Sequence, residues 1–173
     1  MTSLSNSLRI RYLAKAVRDT QKLTYDDHAK LIAQGRSTFF HINQPFVANT
    51  ANGEIGVPHI HTDKLHYCAA AIVCDKQTQF SVAAVHFSGN NMKEVEDTIK
   101  YLDHIKPYVQ VFVGNNEAAD LHPIRDASHF EQRINNFNYL MDHFKMSGFE
   151  TERHQGKGRV FGFCSKEGVF QGG

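Results

Sequence analysis

Apolar positions along the chain follow two rhythms, one helical and one extended. Leu8, Tyr12 and Ala16 recur every four residues, which predicts a helix over Leu4–Leu23. Thr24-Tyr25-Asp26-Asp27 has the form of a capping box and opens a short helix ending at Gly35. Thr38–Ile42, rich in β-branched and aromatic side chains, predicts a strand, and Asn49–Pro58 with its Asn52-Gly53 pair predicts turns. Two continuous apolar runs follow, Cys68–Asp75 and Phe80–Ser88, separated by Lys76-Gln77-Thr78-Gln79. Apolar on both faces, they read as a hairpin inside a covered sheet.

Met92, Val95, Ile99 and Leu102 return the pattern to helical spacing over Met92–His104, and Val109–Gly114 reads as a buried strand. Ser128-His129-Phe130-Glu131 is a second capping box. It opens a helix whose predicted buried face is Phe130, Ile134, Phe137, Met141 and Phe144, closed by Gly148. Phe149–Gln155, Arg159–Ser165 and Val169–Gln171 predict a closing antiparallel meander, turning at Gly156-Lys157-Gly158 and Glu167-Gly168. The order predicts an α/β fold: one domain over 53–173, a β-sandwich or mixed, mainly antiparallel sheet flanked by helices, preceded by a helical extension over 1–52.

Composition narrows the function classes. The chain has 173 residues, 41% apolar and 21% charged, enough to bury a core. A formal charge of +1 without a basic stripe argues against nucleic acid as a partner. No apolar run approaches the roughly 20 residues of a membrane span. Arg9, Arg11 and Lys15 interrupt the first segment, so it does not read as a secretory signal. Three cysteines, an odd number, suit a reducing compartment, so a cytoplasmic location is expected.

The candidate chemistry lies in the hairpin. With a three-residue loop, Lys76-Gln77-Thr78, Asp75 faces Gln79, Cys74 faces Phe80, and Cys68 faces His86 on one face, Cβ atoms about 4.5–5.5 Å apart. A loop one residue longer would pair Cys68 with Phe87 and turn His86 to the other face. A thiol beside an imidazole is a nucleophile with a base, and a third group is expected to orient the imidazole. Thr62, on the preceding segment, carries a hydroxyl and a carbonyl suited to that role. The Cys68 backbone N–H is the first candidate oxyanion donor. Cys74 and Cys164, inside apolar strands, read as core. A competing set is metal-ligating: His59, His61 and His66, with Cys68 close by, where His-x-His puts two imidazoles on one strand face. The lead-in from Gly53 resembles a cupin motif, but no glutamate follows His61 at the cupin interval.

Taken in order, these segments resemble the chemoreceptor glutamine deamidases, the CheD family, which share a fold and catalytic pair with the catalytic domain of the cytotoxic necrotising factors. Thr62 lies six residues before Cys68, Leu65 holds the leucine of the family's Leu-Gly-Ser-Cys turn, His86 follows at eighteen, and Asp75 ends the strand. Val111-Phe112-Val113-Gly114-Asn115-Asn116 is similar to a Phe-Gly-Gly-Ala-Asn segment, and Glu131-Gln132-Arg133-Ile134-Asn135 to a Gly-Glu-Arg-Asn helix start. Ser147-Gly148-Phe149, Gly156-Lys157-Gly158-Arg159-Val160 and Glu167-Gly168-Val169 match its later turns.

The resemblance covers Val57–Phe170 and implies a cofactor-independent protein-glutamine deamidase. Cys68 would be the nucleophile, His86 the base and Thr62 the orienting residue, with a protein as substrate. His66-Tyr67 replace the family's small Gly-Ser, widen the bulk at the site mouth, and become candidate substrate-binding residues. The 1–52 segment has no counterpart in the family, so a toxin- or effector-like role, including delivery into another cell, stands beside chemotaxis. The competing readings are a metal-binding module or enzyme using His59, His61 and His66, and a non-catalytic interaction domain on the deamidase scaffold.

Overall fold

The computed structural model of the chain describes residues 22–48, 56–117 and 127–173. The helix predicted over Leu4–Leu23 and most of the turn region from Asn49 lie outside them. Thr24 caps α1 (Tyr25–Ala33): its hydroxyl accepts from Asp27 N, and the Asp27 carboxylate accepts from Thr24 N. Gly35, at φ +69°, ends that turn in the left-handed region.

Two sheets follow. One holds β1 (Thr38–Phe39), β3 (His59–Thr62), β8 (Val160–Cys164) and β9 (Gly168–Gly172) in the order β1-β3-β8-β9. The other holds β2 (Phe46–Val47), β4 (Ala69–Asp75), β5 (Ser81–Phe87), β6 (Val109–Asn116) and β7 (Glu150–Gly156) in the order β2-β5-β4-β6-β7. Most pairings are antiparallel, and the chain is a mixed α/β protein in which two such sheets are flanked by helices.

One core lies between the sheets: Ile60, Leu65, Ala70, Ile72, Cys74, Ala84, Phe161 and Phe163. A second lies behind β4–β6, where Ala69, Ala71, Val73, Val85 and Phe87 meet α2 (Met92–Leu102) and α3 (Ala127–Met146). The continuous apolar runs are explained by this double burial, since β4 and β5 are covered on both faces. α1 covers the far side of the four-stranded sheet, with Tyr25 against Gly172 and His28 against Phe170.

Four sequence expectations change. The predicted strand Thr38–Ile42 shortens to Thr38–Phe39, and residues 38–47, assigned above to the extension, contribute a strand to each sheet. Phe130 and Ile134 are exposed, at 37% and 50%, whereas Phe137, Met141 and Phe144 are buried as expected, with Leu140 beside them. Ser128 lies inside α3 and is not its cap. The closing meander does not form: β7 pairs parallel to β6, with α3 as the crossover, and only β8 and β9 make a hairpin.

The central hairpin departs from the predicted register in a way that matters. Asp75 N bonds Phe80 O and Cys74 opposes Ser81, so the loop is the four residues Lys76–Gln79. Its tight turn is tied by the Asp75 carboxylate, which accepts from Gln77 N and Thr78 N, with Gln79 at φ +63°. That slip alone would send His86 to the far face. A bulge between Val73 and Cys74 adds a second slip, after which Val73 opposes Ala83 and Ala70 opposes His86. Two slips restore the face: His86 returns to the side shared with Cys68, diagonal to it instead of directly opposite.

Candidate active site

Cys68 and His86 open into one cavity of about 380 Å³ at the rim between the sheets, lined also by Phe39, His41, Ile42, Thr62, Asp63 and Lys64. Cys68 stands immediately before β4, half-buried, at the end of a turn held from three directions. Leu65 is fully buried and its N–H donates to Arg159 O; Asn136 Nδ2 donates to Tyr67 O; and Lys64 takes φ +57°. His86 comes from the end of β5. Asn91 Nδ2 donates to both His86 O and Ile42 O, tying that strand end to the cavity wall.

The orientation of the histidine follows from hydrogen-bond logic. Thr62 Oγ1 lies 2.9 Å from Phe40 O and 2.7 Å from His86 Nδ1. A carbonyl only accepts, so the threonine proton goes to Phe40, and the hydroxyl must accept from His86 Nδ1–H. In the neutral ring the lone pair is then on Nε2. That atom is buried and has no hydrogen-bond partner among the described residues.

Burial dominates the electrostatics. It pushes the Cys68 thiol up to about 11, and pulls the His86 imidazole down to about 4 against the opposing pull of Asp63. At neutral pH the resting pair is therefore thiol and neutral imidazole, not thiolate and imidazolium. No hydrogen bond joins the two side chains, which agrees with their diagonal placement.

Thr62, Cys68 and His86, singled out from the sequence, are thus brought together. His66 and Tyr67 are half-buried in the turn before Cys68 but do not line the cavity; the Tyr67 ring packs 4.6 Å from that of His129. His59 and His61 lie on the opposite face of β3 from Thr62. Their Nδ1 atoms are both 2.7 Å from Ser37 Oγ, and His59 Nε2 is 3.0 Å from His28 Nδ1. Among the described residues no group of three or more His, Cys, Asp or Glu side chains is arranged to hold a metal. Cys74 and Cys164 are buried in strands. The cavity residues that sequence reasoning passed over are Phe39, His41, Ile42, Asp63 and Lys64. Asp63 and Lys64 follow Thr62 directly, which was the available signal; the others come from a segment that gave no sign of touching the hairpin. Among the described residues no helix is long and apolar enough to cross a membrane.

The fold and site define a two-sheet α/β domain with a cysteine–histidine–threonine constellation at the sheet rim. No family model matches the chain, and a search of curated proteins finds none similar to it.

Proposed function

We propose that the chain is a cysteine-dependent amidohydrolase that deamidates glutamine side chains of a protein substrate. The observation that carries this reading is the His86 ring, which lines the same cavity as Cys68: its donor nitrogen is fixed by Thr62, and its basic nitrogen is buried without a hydrogen-bond partner among the described residues. The ordered series of motifs resembling the CheD deamidases supports the same assignment of roles, and supplies the substrate class.

In the proposed reaction the glutamine side chain occupies the cavity that Cys68 and His86 line with Phe39 and Ile42. The Cys68 S–H proton passes to His86 Nε2 as sulfur bonds to the amide carbon. The imidazolium then gives that proton to the departing nitrogen, the C–N bond breaks, and ammonia leaves a thioester. Water attacks the thioester carbon while His86 takes one of its protons; the C–S bond breaks, and the proton returns to sulfur. Glutamate is released and the thiol restored. Because the resting pair is neutral, proton transfer accompanies attack, and no stored thiolate is needed. A primary amine in place of water would give transglutamination by the same first half.

The test measures ammonia released from β-casein and from a blocked glutaminyl-glycine, together with alkylation by a glutamine-shaped chloroacetamide. Release and alkylation are expected with the wild type and absent in Cys68→Ala. Equal ammonia release by Cys68→Ala, or chloroacetamide labelling indifferent to His86→Gln, would overturn the reading.

A further inference from the structure

The Cys68–His86 cavity carries two charges that the proposed reaction does not use. Thr62, Asp63 and Lys64 line it consecutively, beside Cys68 and His86. Successive side chains of an extended strand point to opposite sides, so neighbours that share one cavity need a break in the strand. β3 ends at Thr62, and Lys64 takes φ +57°, in the left-handed region that a lysine enters only at a cost. The turn is held by fully buried Leu65, whose N–H donates to Arg159 O, and by the bond from His66 N to Lys64 O. Asp63 is half-buried and Lys64 exposed. The Asp63 charge is felt at His86. Neither side chain forms an ion pair among the described residues, with the other or with a third group. A carboxylate and an ammonium thus stand next to each other along one cavity wall without neutralising one another.

A ligand that answers both charges needs a cation and an anion close together. A free α-amino acid has both on one carbon. The cavity, about 380 Å³, has the size of a small-molecule site, about 300–1,000 Å³. We propose that Asp63 and Lys64 make it a zwitterion site: Asp63 takes the α-ammonium and Lys64 the α-carboxylate of free L-glutamine, whose side-chain amide is presented to Cys68. The centre would then hydrolyse the free amino acid as well as a protein-bound glutamine.

Turnover of the free amino acid rests on the deamidase reading above; binding of the zwitterion does not. The chemistry is unchanged. Cys68 sulfur bonds to the amide carbon, the C–N bond breaks as His86 returns the thiol proton to nitrogen, and water then displaces sulfur. Glutamine and water give glutamate and ammonia. A glutamine inside a protein has neither charge at its α-carbon, so the pair favours the free molecule alone.

Ammonia release is compared for L-glutamine, for N-acetyl-glutamine, which lacks the α-ammonium, and for glutamine α-methylamide, which lacks the α-carboxylate. In the wild type, kcat/KM for L-glutamine should exceed that for each analogue at least about tenfold, as a hydrogen bond to a charged group gives. Asp63→Asn should bring the ratio to N-acetyl-glutamine toward one and keep the ratio to the methylamide. Lys64→Gln should do the reverse. A wild-type ratio near one for either analogue, or a variant that moves both ratios alike, overturns the assignment. Should a variant not fold, the wild-type ratios decide alone. Calorimetry of L-glutamine with Cys68→Ala reads binding without turnover. Saturable binding with no ammonia from any glutamine compound sinks the deamidase reading alone. Ammonia from β-casein with neither binding nor hydrolysis of L-glutamine sinks the zwitterion site alone.

Discussion

Thr62 Oγ1 stands 2.7 Å from His86 Nδ1 and gives its own proton to the Phe40 carbonyl. The imidazole is thus aimed by a hydroxyl whose direction is set by backbone from a different segment. A hydroxyl orients as a carboxylate does but brings no negative charge. The ring consequently stays weakly basic in its buried place, held near 4 by desolvation. In the proposed reaction its basic nitrogen takes the Cys68 proton as sulfur attacks.

Replacing that hydroxyl separates orientation from packing. Thr62→Val keeps the shape but removes both hydrogen bonds, freeing the ring to exchange tautomers. Ammonia release per unit substrate should fall by roughly 10²-fold, in the range general-base positioning contributes. Thr62→Ser keeps the hydroxyl and should stay within about threefold of wild type. A loss in Thr62→Ser as large as that in Thr62→Val would count against the hydroxyl as the group that orients His86.

The thiol should be unreactive at rest. With Cys68 pushed up to about 11, only about one molecule in ten thousand carries the thiolate at neutral pH. Iodoacetamide labelling of Cys68 should therefore be slow near pH 7 and climb steadily through pH 9 and above. A labelling rate already at its plateau near neutral pH would reveal a resting ion pair and contradict the neutral dyad.

Acid should destabilise the fold before its carboxylates titrate. His86 and His59 are held at about 4 in the folded chain, and His61 is also depressed, against about 6.5 when unfolded. Between those values the unfolded chain binds more protons, so stability is complete above about pH 6.5 and falls as pH drops through 4. Each full shift corresponds to roughly 3 kcal/mol at most. Urea midpoints at about pH 7 and about pH 4.5 should differ accordingly. A midpoint that is flat or rises on acidification would mean that these imidazoles are solvated.

What the sequence disclosed depended on whether a segment's neighbours were local. The capping box at Thr24, the apolar runs of β4 and β5 and the helical stripe of α2 are set by nearby residues, and all were legible. The grouping of Thr62, Cys68 and His86 was legible from the motif series, because each sits at the end of an element and faces the same rim. The first turns of α3 were not: Phe130 and Ile134 continue the apolar stripe of Phe137, Met141 and Phe144 but stand exposed. The parallel pairing of β7 was equally hidden, since a strand after a helix reads the same whether it joins one sheet or the other. His59 and His61 suggested a metal by spacing alone. Ser37 and His28, which take their nitrogens, arrive from far along the chain.

The hairpin register gives the most direct check on the site, because face, loop and bulge are linked. Cys74 opposes Ser81, with Cys74 Sγ 3.8 Å from Ser81 Oγ. The shorter loop read from the sequence would instead put Cys74 opposite Phe80. Directly opposed Cα atoms lie about 4.5–5.5 Å apart, within the span of a disulfide. Ser81→Cys should therefore oxidise with Cys74 under mild diamide treatment, whereas Phe80→Cys, one position along and on the other face, should not. Mass mapping of the cross-linked peptides distinguishes the two. A disulfide through position 80 would restore the three-residue loop, and the bulge that returns His86 to the side of Cys68 would lose its basis.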